Sequence, residues 1–203
     1  MKKKAIFVSI EGLEGSGKSS VIKFLVKLLK KKGFKVKVFR EPGSTKIGEK
    51  IRKILLDKRN KNISPYTELL LYLAARAQLI EEKLKKALNF YDFVICDRFF
   101  DSTLVYQGYA SGLGEIVYRV TKLFSLGIVP DLTILLDTSV EEALERIKNK
   151  DRMESKPLKF HKRLREGYLW LAKKNPRRIK IVDANTNLKE IFKKAEKIVN
   201  KYF

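Results

Sequence analysis

The sequence predicts an α/β fold: a five-stranded parallel sheet with helices on both faces, closed by a short lid. Two observations carry this. Short apolar runs alternate with amphipathic helical stretches along the 203 residues, the pattern of strands joined by helical crossovers. The first run also leads through a glycine-rich loop straight into a helical stretch, as the first turn of such sheets does. No internal repeat, low-complexity tract or Pro/Gly-rich linker divides the chain, so residues 1–203 are expected to form a single domain.

Residues 5–10 form a nearly continuous apolar run, as a strand covered on both faces should. The basic start "MKKK" before them leads into a run too short for a signal-peptide core, which is therefore read as a strand. Val21, Phe24, Leu25, Leu28 and Leu29 follow the i, i+3, i+4, i+7, i+8 spacing of an amphipathic helix, closed by Gly33. "KVKVF" (35–39) alternates as a second strand, and Ile47, Ile51, Ile54 and Leu55 mark another helix. Residues 64–88 read as one long helix with Ser64 as N-cap and Pro65 at its first position. "FVIC" (93–96), "LTILL" (132–136) and "IKIVDA" (179–184) supply three further strands. Ser139 with Glu142, and Asn187 with Glu190, open two helices as capping boxes.

The composition narrows the function classes. Cys96 is the only cysteine, which leaves no disulfide framework and no cysteine metal cage. No stretch approaches the ~20 apolar residues of a membrane span, so a cytoplasmic protein without a membrane partner is expected. The formal net charge is +22, but the lysines are spread over nearly every helix rather than gathered in one aromatic-interleaved stripe. This reads as a solvated lysine-rich surface, and nucleic acid is not the expected partner. His161, alone of its kind, lacks fellow ligands for a metal and reads as surface packing. Cys96 and Trp170 read as core. Arg163 and Arg165, on a strongly basic stretch, read as solvated.

The loop is the sharpest signal. "GLEGSGKS" satisfies G-x-x-x-x-G-K-[ST] between a strand and a helix, the P-loop of NTPase-type sheets. Its candidate ATP-binding residues are Gly12, Leu13, Glu14, Gly15, Ser16, Gly17, Lys18, Ser19 and Ser20. Backbone N–H groups and the helix N-terminus would cradle phosphate oxygens. Lys18 would reach the β- and γ-phosphates, and Ser19 would ligate Mg²⁺. The loop alone also fits a motor or a nucleic-acid ATPase. The third apolar run, however, ends in Asp97–Arg98. Asp97 suits the Mg²⁺ shell, and Arg98 offers a fork for a second phosphate, which favours a kinase. The mixed-charge stretch 150–160 has the position of a lid over the phosphates.

"FVSIEGLEGSGKSS", "REPGST", "TELLLYLAAR", "CDRFFDSTLVYQGYA", "PDLTILLD" and "DRMESKPLKFHKRLREGY" run colinearly over nearly the whole chain. Together they resemble the thymidylate kinases. The resemblance implies phosphoryl transfer from ATP to dTMP with Mg²⁺ in a homodimer; a kinase for another nucleoside monophosphate is the nearest alternative. It also implies roles. Glu14 would face the deoxyribose 3′-hydroxyl; Glu11, from its place at the end of the first strand, is expected to be structural or to support the site from behind. Arg98 and Arg52 would hold the acceptor phosphate. Glu41 and Pro42 match the substrate-side loop, where Ser44 replaces the glycine of many relatives. Tyr72 would stack on thymine, Arg76 read its O4, Gln107 address the base edge and Tyr106 crowd the 2′ position, with Thr103 beside them. Asp183 and Ala184 match the adenine side. With no arginine inside the loop, Arg152 of the lid would join Lys18 and Arg98 as the catalytic cations.

Overall fold

The computed structural model describes residues 5–203; the basic start at 1–4 lies outside the described residues. Strands β1 (Ile6–Gly12), β2 (Val36–Arg40), β3 (Phe93–Asp97), β4 (Leu132–Asp137) and β5 (Ile179–Asp183) form one parallel sheet in the order β2-β3-β1-β4-β5. Each expected strand is present, shifted by two residues or fewer. The three inner strands bury almost every position, while the edge strands are only partly covered: β5 buries Ile179 and Val182, and β2 buries Phe39 alone. This is why the inner strands read as unbroken apolar runs; on the edge, burial does not follow the alternation of "KVKVF", since Val38 is exposed and Phe39 buried.

Side chains alternate across β1. Val8 and Ile10 pack with Leu25 and Leu29 of α1 (Lys18–Lys31) and with Ile191, Ala195 and Val199 of α9 (Leu188–Val199). Phe7 faces the opposite layer, with Leu79, Leu84 and Phe99. Each fully buried Leu of this kind contributes about 1.5–3 kcal/mol by leaving water. Gly33, at φ +86°, ends α1, with Phe34 N–H donating to Leu29 O at 3.1 Å in the Schellman pattern.

Between them lie α2 (Lys46–Leu56), α3 (Pro65–Leu79), α4 (Lys85–Phe90), α5 (Phe100–Thr103), α6 (Glu115–Phe124), α7 (Val140–Glu145) and α8 (Leu158–Lys174). The long helix expected over 64–88 forms, capped by Ser64 Oγ accepting from Thr67 N–H at 3.1 Å. A π-helical turn, Ile80–Leu84, joins α3 to α4. A second π turn, Leu104–Ala110, follows α5 and carries Tyr106 and Gln107; such widened turns often occur at functional sites. Of the expected capping boxes, the Ser139 and Asn187 side chains do cap, accepting from Glu142 and Glu190 N–H. The reciprocal half at Ser139 is different: its N–H donates to Asn185 Oδ1 at 2.7 Å, while Glu142 pairs with Arg146.

Several side chains depart from the sequence reading. His161 is buried, at 2% exposure, with its ring Nε2 3.1 Å from Lys156 O; α8 packs inward on the face that carries it. Trp170 is half-exposed at 50% and lies against Tyr109 rather than in the core. Arg163 donates to Tyr109 O, and Arg165 forms a two-pronged pair with Asp137 at 2.7 and 3.0 Å. Both arginines of this basic helix are therefore engaged. Cys96 is fully buried.

Candidate active site

The phosphate loop lies at the C-terminal end of β1, where parallel sheets present their ligands. Its glycines are required by shape. Gly15 has φ +76°, and a Cβ there would stand 2.0 Å from Ala143 O. Lys18, the first residue of α1, folds across the loop and donates to Leu13 O at 2.6 Å and Gly12 O at 3.2 Å. Burial pushes its ammonium down to about 8, with the Arg98 charge adding to the effect and Glu14 opposing it. Ser19 and Asp97 border one hollow beside the loop. A hydroxyl and a carboxylate are hard oxygen donors, and Mg²⁺ completes its shell with water and phosphate oxygens rather than with a protein cage, so the pair fits that ion.

A deeper cavity opens from Gly15 and Lys18. Glu14, Glu41, Pro42, Arg52, Tyr72, Arg76, Arg98, Thr103, Tyr106 and Gln107 all border it, with Asp97 at its edge. Every acceptor-side residue implied by the resemblance thus lines one cavity. They come from the loop after β1, the β2–α2 connection, α2, α3 and the segment after β3.

Arg98 is the hub. Its backbone sits at φ +68°, a left-handed conformation that costs a residue other than glycine roughly 1 kcal/mol or more. Its N–H donates to Ile10 O at 3.1 Å. The guanidinium donates to Glu14 at 2.6 Å, to Tyr168 OH at 2.9 Å and to Ser102 Oγ at 3.0 Å. Beneath it Glu11, fully buried, accepts from Ser102 Oγ, Tyr168 OH, Ser9 Oγ and Phe99 N–H. Because both hydroxyls give their protons to Glu11, their lone pairs face Arg98. The expectation of a structural role for Glu11 holds. Burial and the nearby Asp101 raise its carboxyl to about 7, against Arg98 and the hydrogen bonds from Ser102 and Ser9. Glu14 goes the other way. Burial pushes it up, but Arg98, Lys18 and the Tyr106 hydroxyl outweigh burial and hold it at about 2.

At the far end Arg76 is buried at 2% exposure. Its Nε and Nη2 donate to Glu41 Oε2 at 2.9 and 2.7 Å, and Nη2 also to Thr103 Oγ1 at 2.8 Å. Among the described residues its Nη1 is buried without a partner, a donor that fits an acceptor supplied by a ligand. Arg52 Nη1 donates to Pro42 O at 3.0 Å. Ser44 has φ +65°, which explains why glycine suits that position; its Oγ accepts from Arg40 N–H instead.

Arg152 is not brought to the phosphate loop. Its Nε donates to Leu55 O and its Nη2 to Glu68, both at 2.6 Å, so in this arrangement it fastens the lid to α2 and α3. Its place over a transferring phosphoryl group, expected from the resemblance, requires both contacts to break. Besides Arg98, which pairs with Glu14, Arg146 also borders the loop, with Nη1 3.4 Å from Gly15 O. In the stretch that the resemblance assigns to adenine, Asp183 accepts from Asn185, and Ala184 is buried. Sequence reasoning missed Glu68, Ser102, Tyr168 and Arg146. Glu68 was within reach, since 68, 72 and 76 share one face of α3. Tyr168, some 70 positions from Arg98, left no local signal.

A phosphate loop opening into a second cavity lined with arginines, with a buried polar end beyond, defines a P-loop kinase of nucleotide-sized acceptors. Residues 10–195 match the family model for thymidylate kinase. A thymidylate kinase of Thermoanaerobacter sp. (strain X514) is 48% identical over 202 residues, covering 98% of this chain and 99% of that protein. One from Chlamydia muridarum is 48% identical over 187 residues, covering 88% and 91%. The crystal structure of thymidylate kinase from Ehrlichia chaffeensis superposes with a TM-score of 0.79 at 28% identity, over 98% of this chain and 99% of that one. The chain belongs to the thymidylate kinase family.

Proposed function

We propose that this chain transfers the γ-phosphoryl group of ATP to dTMP, giving ADP and dTDP on the route to dTTP, with the whole chain acting as one kinase domain. The observation that carries this reading is the continuity of the cavity, from Lys18 past Arg98 and Arg52 to the unpartnered Nη1 of Arg76. A coupled assay with ATP, Mg²⁺ and a panel of monophosphates tests it; equal or better use of another monophosphate would overturn it.

Phosphoryl transfer needs position and charge neutralisation more than a strong base. The acceptor phosphate is its own nucleophile, so no side chain need remove a proton. Arg98 and Arg52 hold it in line, and Lys18 turns from the loop carbonyls to the β- and γ-phosphate oxygens. Ser19 and Asp97 are the residues that would hold Mg²⁺, which neutralises phosphate charge when bound. Arg152 reaches the transferring group by giving up Glu68 and the Leu55 carbonyl. Glu14, held ionised, accepts from the 3′-hydroxyl, while Tyr106, hydrogen-bonded to Glu14 at 2.5 Å, fills the space a 2′-hydroxyl would need. Tyr72 stacks on the base, and Arg76 Nη1 donates to thymine O4. Cytosine presents an amino donor at that point, so it meets a donor with a donor. Uracil lacks only the methyl group, worth about 1–3 kcal/mol, and slow use of dUMP follows.

The reading extends to a cytoplasmic homodimer. Among the described residues no helix is long and apolar enough to cross a membrane. Helices α2, α3 and α6 lie side by side, and each leaves a pair of apolar side chains in water on one face: Ile47 and Ile54, Tyr66 and Leu70, Ile116 and Leu123. Exposed apolar pairs on three neighbouring helices favour a second copy. Sedimentation velocity should give a dimer, and Leu70→Glu should split it; a wild-type monomer at micromolar concentration would refute this part.

A further inference from the structure

One buried carboxylate at the base end of the cavity has no part in the chemistry above. Glu68 lies on α3 one turn before Tyr72 and two before Arg76, at 3% exposure. Its Oε1 accepts from Gln107 Nε2 at 2.9 Å. Its Oε2 accepts from Arg152 Nη2 at 2.6 Å, with Lys156 Nζ at 3.7 Å. A carboxylate in an ion pair offers acceptors only. Gln107 must therefore turn its NH₂ toward Glu68 and its carbonyl Oε1 away. Gln107 borders the cavity, and among the described residues no donor meets that Oε1.

We propose that Glu68 is a specificity-determining positioning residue: by fixing the Gln107 amide, it presents an acceptor to the N3 edge of the pyrimidine. This rests on the reading of the cavity as the dTMP site. Thymine carries N3–H, a donor that satisfies Oε1. Cytosine carries a bare N3, which meets acceptor with acceptor. A glutamine free to turn is a poor judge, because rotation of its amide exchanges donor and acceptor and suits either base. Locked by Glu68, it reads one polarity. Arg76 supplies the opposite polarity for O4 from the same helix, so the two contacts together describe a thymine or uracil edge.

The test is kcat/KM for dTMP and for dCMP, with ATP saturating. In Glu68→Gln the new amide can donate as well as accept, so Gln107 is free to flip, and the dTMP:dCMP ratio should fall about tenfold or more. Glu68→Gln combined with Gln107→Glu places an acceptor-only group at 107, held by the amide at 68. Most of the ratio should return, even if both rates are lower through the lost Arg152 pair. Gln107→Asn, too short to reach Glu68, leaves the Glu68–Arg152 pair intact and should lower the ratio on its own. An unchanged ratio in Glu68→Gln or in Gln107→Asn, or a fall that the double substitution does not reverse, overturns the proposal; a merely structural Glu68 would slow both substrates alike. A wild type that uses dCMP as well as dTMP would defeat the substrate reading itself, and the proposal with it.

Discussion

Replacing Arg76 with alanine should damage stability and base choice through two separable faces of one guanidinium. One face holds Glu41. That carboxylate is 4% exposed, and burial pushes its pKa up while Arg76 opposes the rise. In Arg76→Ala, Glu41 loses both hydrogen bonds, and Thr103 loses its donor. Breaking a buried pair costs about 3–5 kcal/mol. The charge term has a ceiling, because Glu41 can take up a proton instead. From its ordinary value of 4.5, that costs about 1.4 kcal/mol per pH unit, or about 3 kcal/mol at pH 7 and about 0.7 at pH 5. The sign follows: the folded variant's Glu41 pKa lies above its unfolded value, so its penalty grows as pH rises from 4.5 and fades as pH falls. Urea unfolding at pH 5, 6 and 7 should show the deficit relative to wild type shrinking by up to about 3 kcal/mol between pH 7 and pH 5. The double substitution Arg76→Met, Glu41→Leu should regain most of the stability, since it strands no charge. The other face, Nη1, bears on substrate: relative kcat/KM for dTMP over dCMP should fall about tenfold or more. A deficit independent of pH would refute the buried-pair account, and an unchanged dTMP:dCMP ratio would refute the base contact.

Glu14→Gln removes the 2.6 Å partner of Arg98 and the acceptor for the 3′-hydroxyl, so KM for dTMP should rise about tenfold with ATP affinity little changed; titrations showing ATP weakened and dTMP unaffected would reverse the assignment. Arg152→Ala should slow the chemical step in single-turnover kinetics by roughly 10³-fold or more, as loss of an arginine finger does, and Arg152→Lys should recover little. Slowing below about tenfold, with a lowered unfolding midpoint, would mean that Arg152 only fastens the lid to Glu68. Glu11, raised to about 7 against an ordinary 4.5, holds its proton more tightly folded than unfolded. Its contribution to stability is full below pH 4.5 and is lost as pH rises through about 7. Glu11→Gln should flatten that slope by up to about 3 kcal/mol, and parallel wild-type and variant stability curves would contradict the buried carboxyl's titration.

The strands and the phosphate loop were legible because their signals are local. A buried parallel strand must be apolar at nearly every position, and the loop's φ +76° at Gly15 admits little but glycine, so residues 5–10 and 12–19 declare themselves within a few positions. The resemblance of "DRFFDSTLVYQGYA", "TELLLYLAAR", "REPGST" and the segments around Glu14 and Arg52 to one family named the acceptor-side residues, and the cavity gathers all of them. The misreadings share a physical origin. His161 and Trp170 sit on α8, where a 3.6-residue period written in lysines and arginines does not say which face turns inward. Ile47 and Ile54 fit the apolar stripe of a core-facing helix, yet are 51% and 46% exposed, because only α3, packed against α2, settles which part of the stripe is covered. The sequence by itself determined the sheet, the loop and, through the resemblance, the identity of the side chains that line the cavity. Tertiary structure alone decided what holds those side chains still: Tyr168 and Ser102 beneath Arg98, Glu68 behind Gln107, and Arg152 on Glu68 rather than over the phosphates. Such partners are joined by hydrogen bonds of fixed direction between distant segments, and no local propensity or periodicity records where two remote side chains meet.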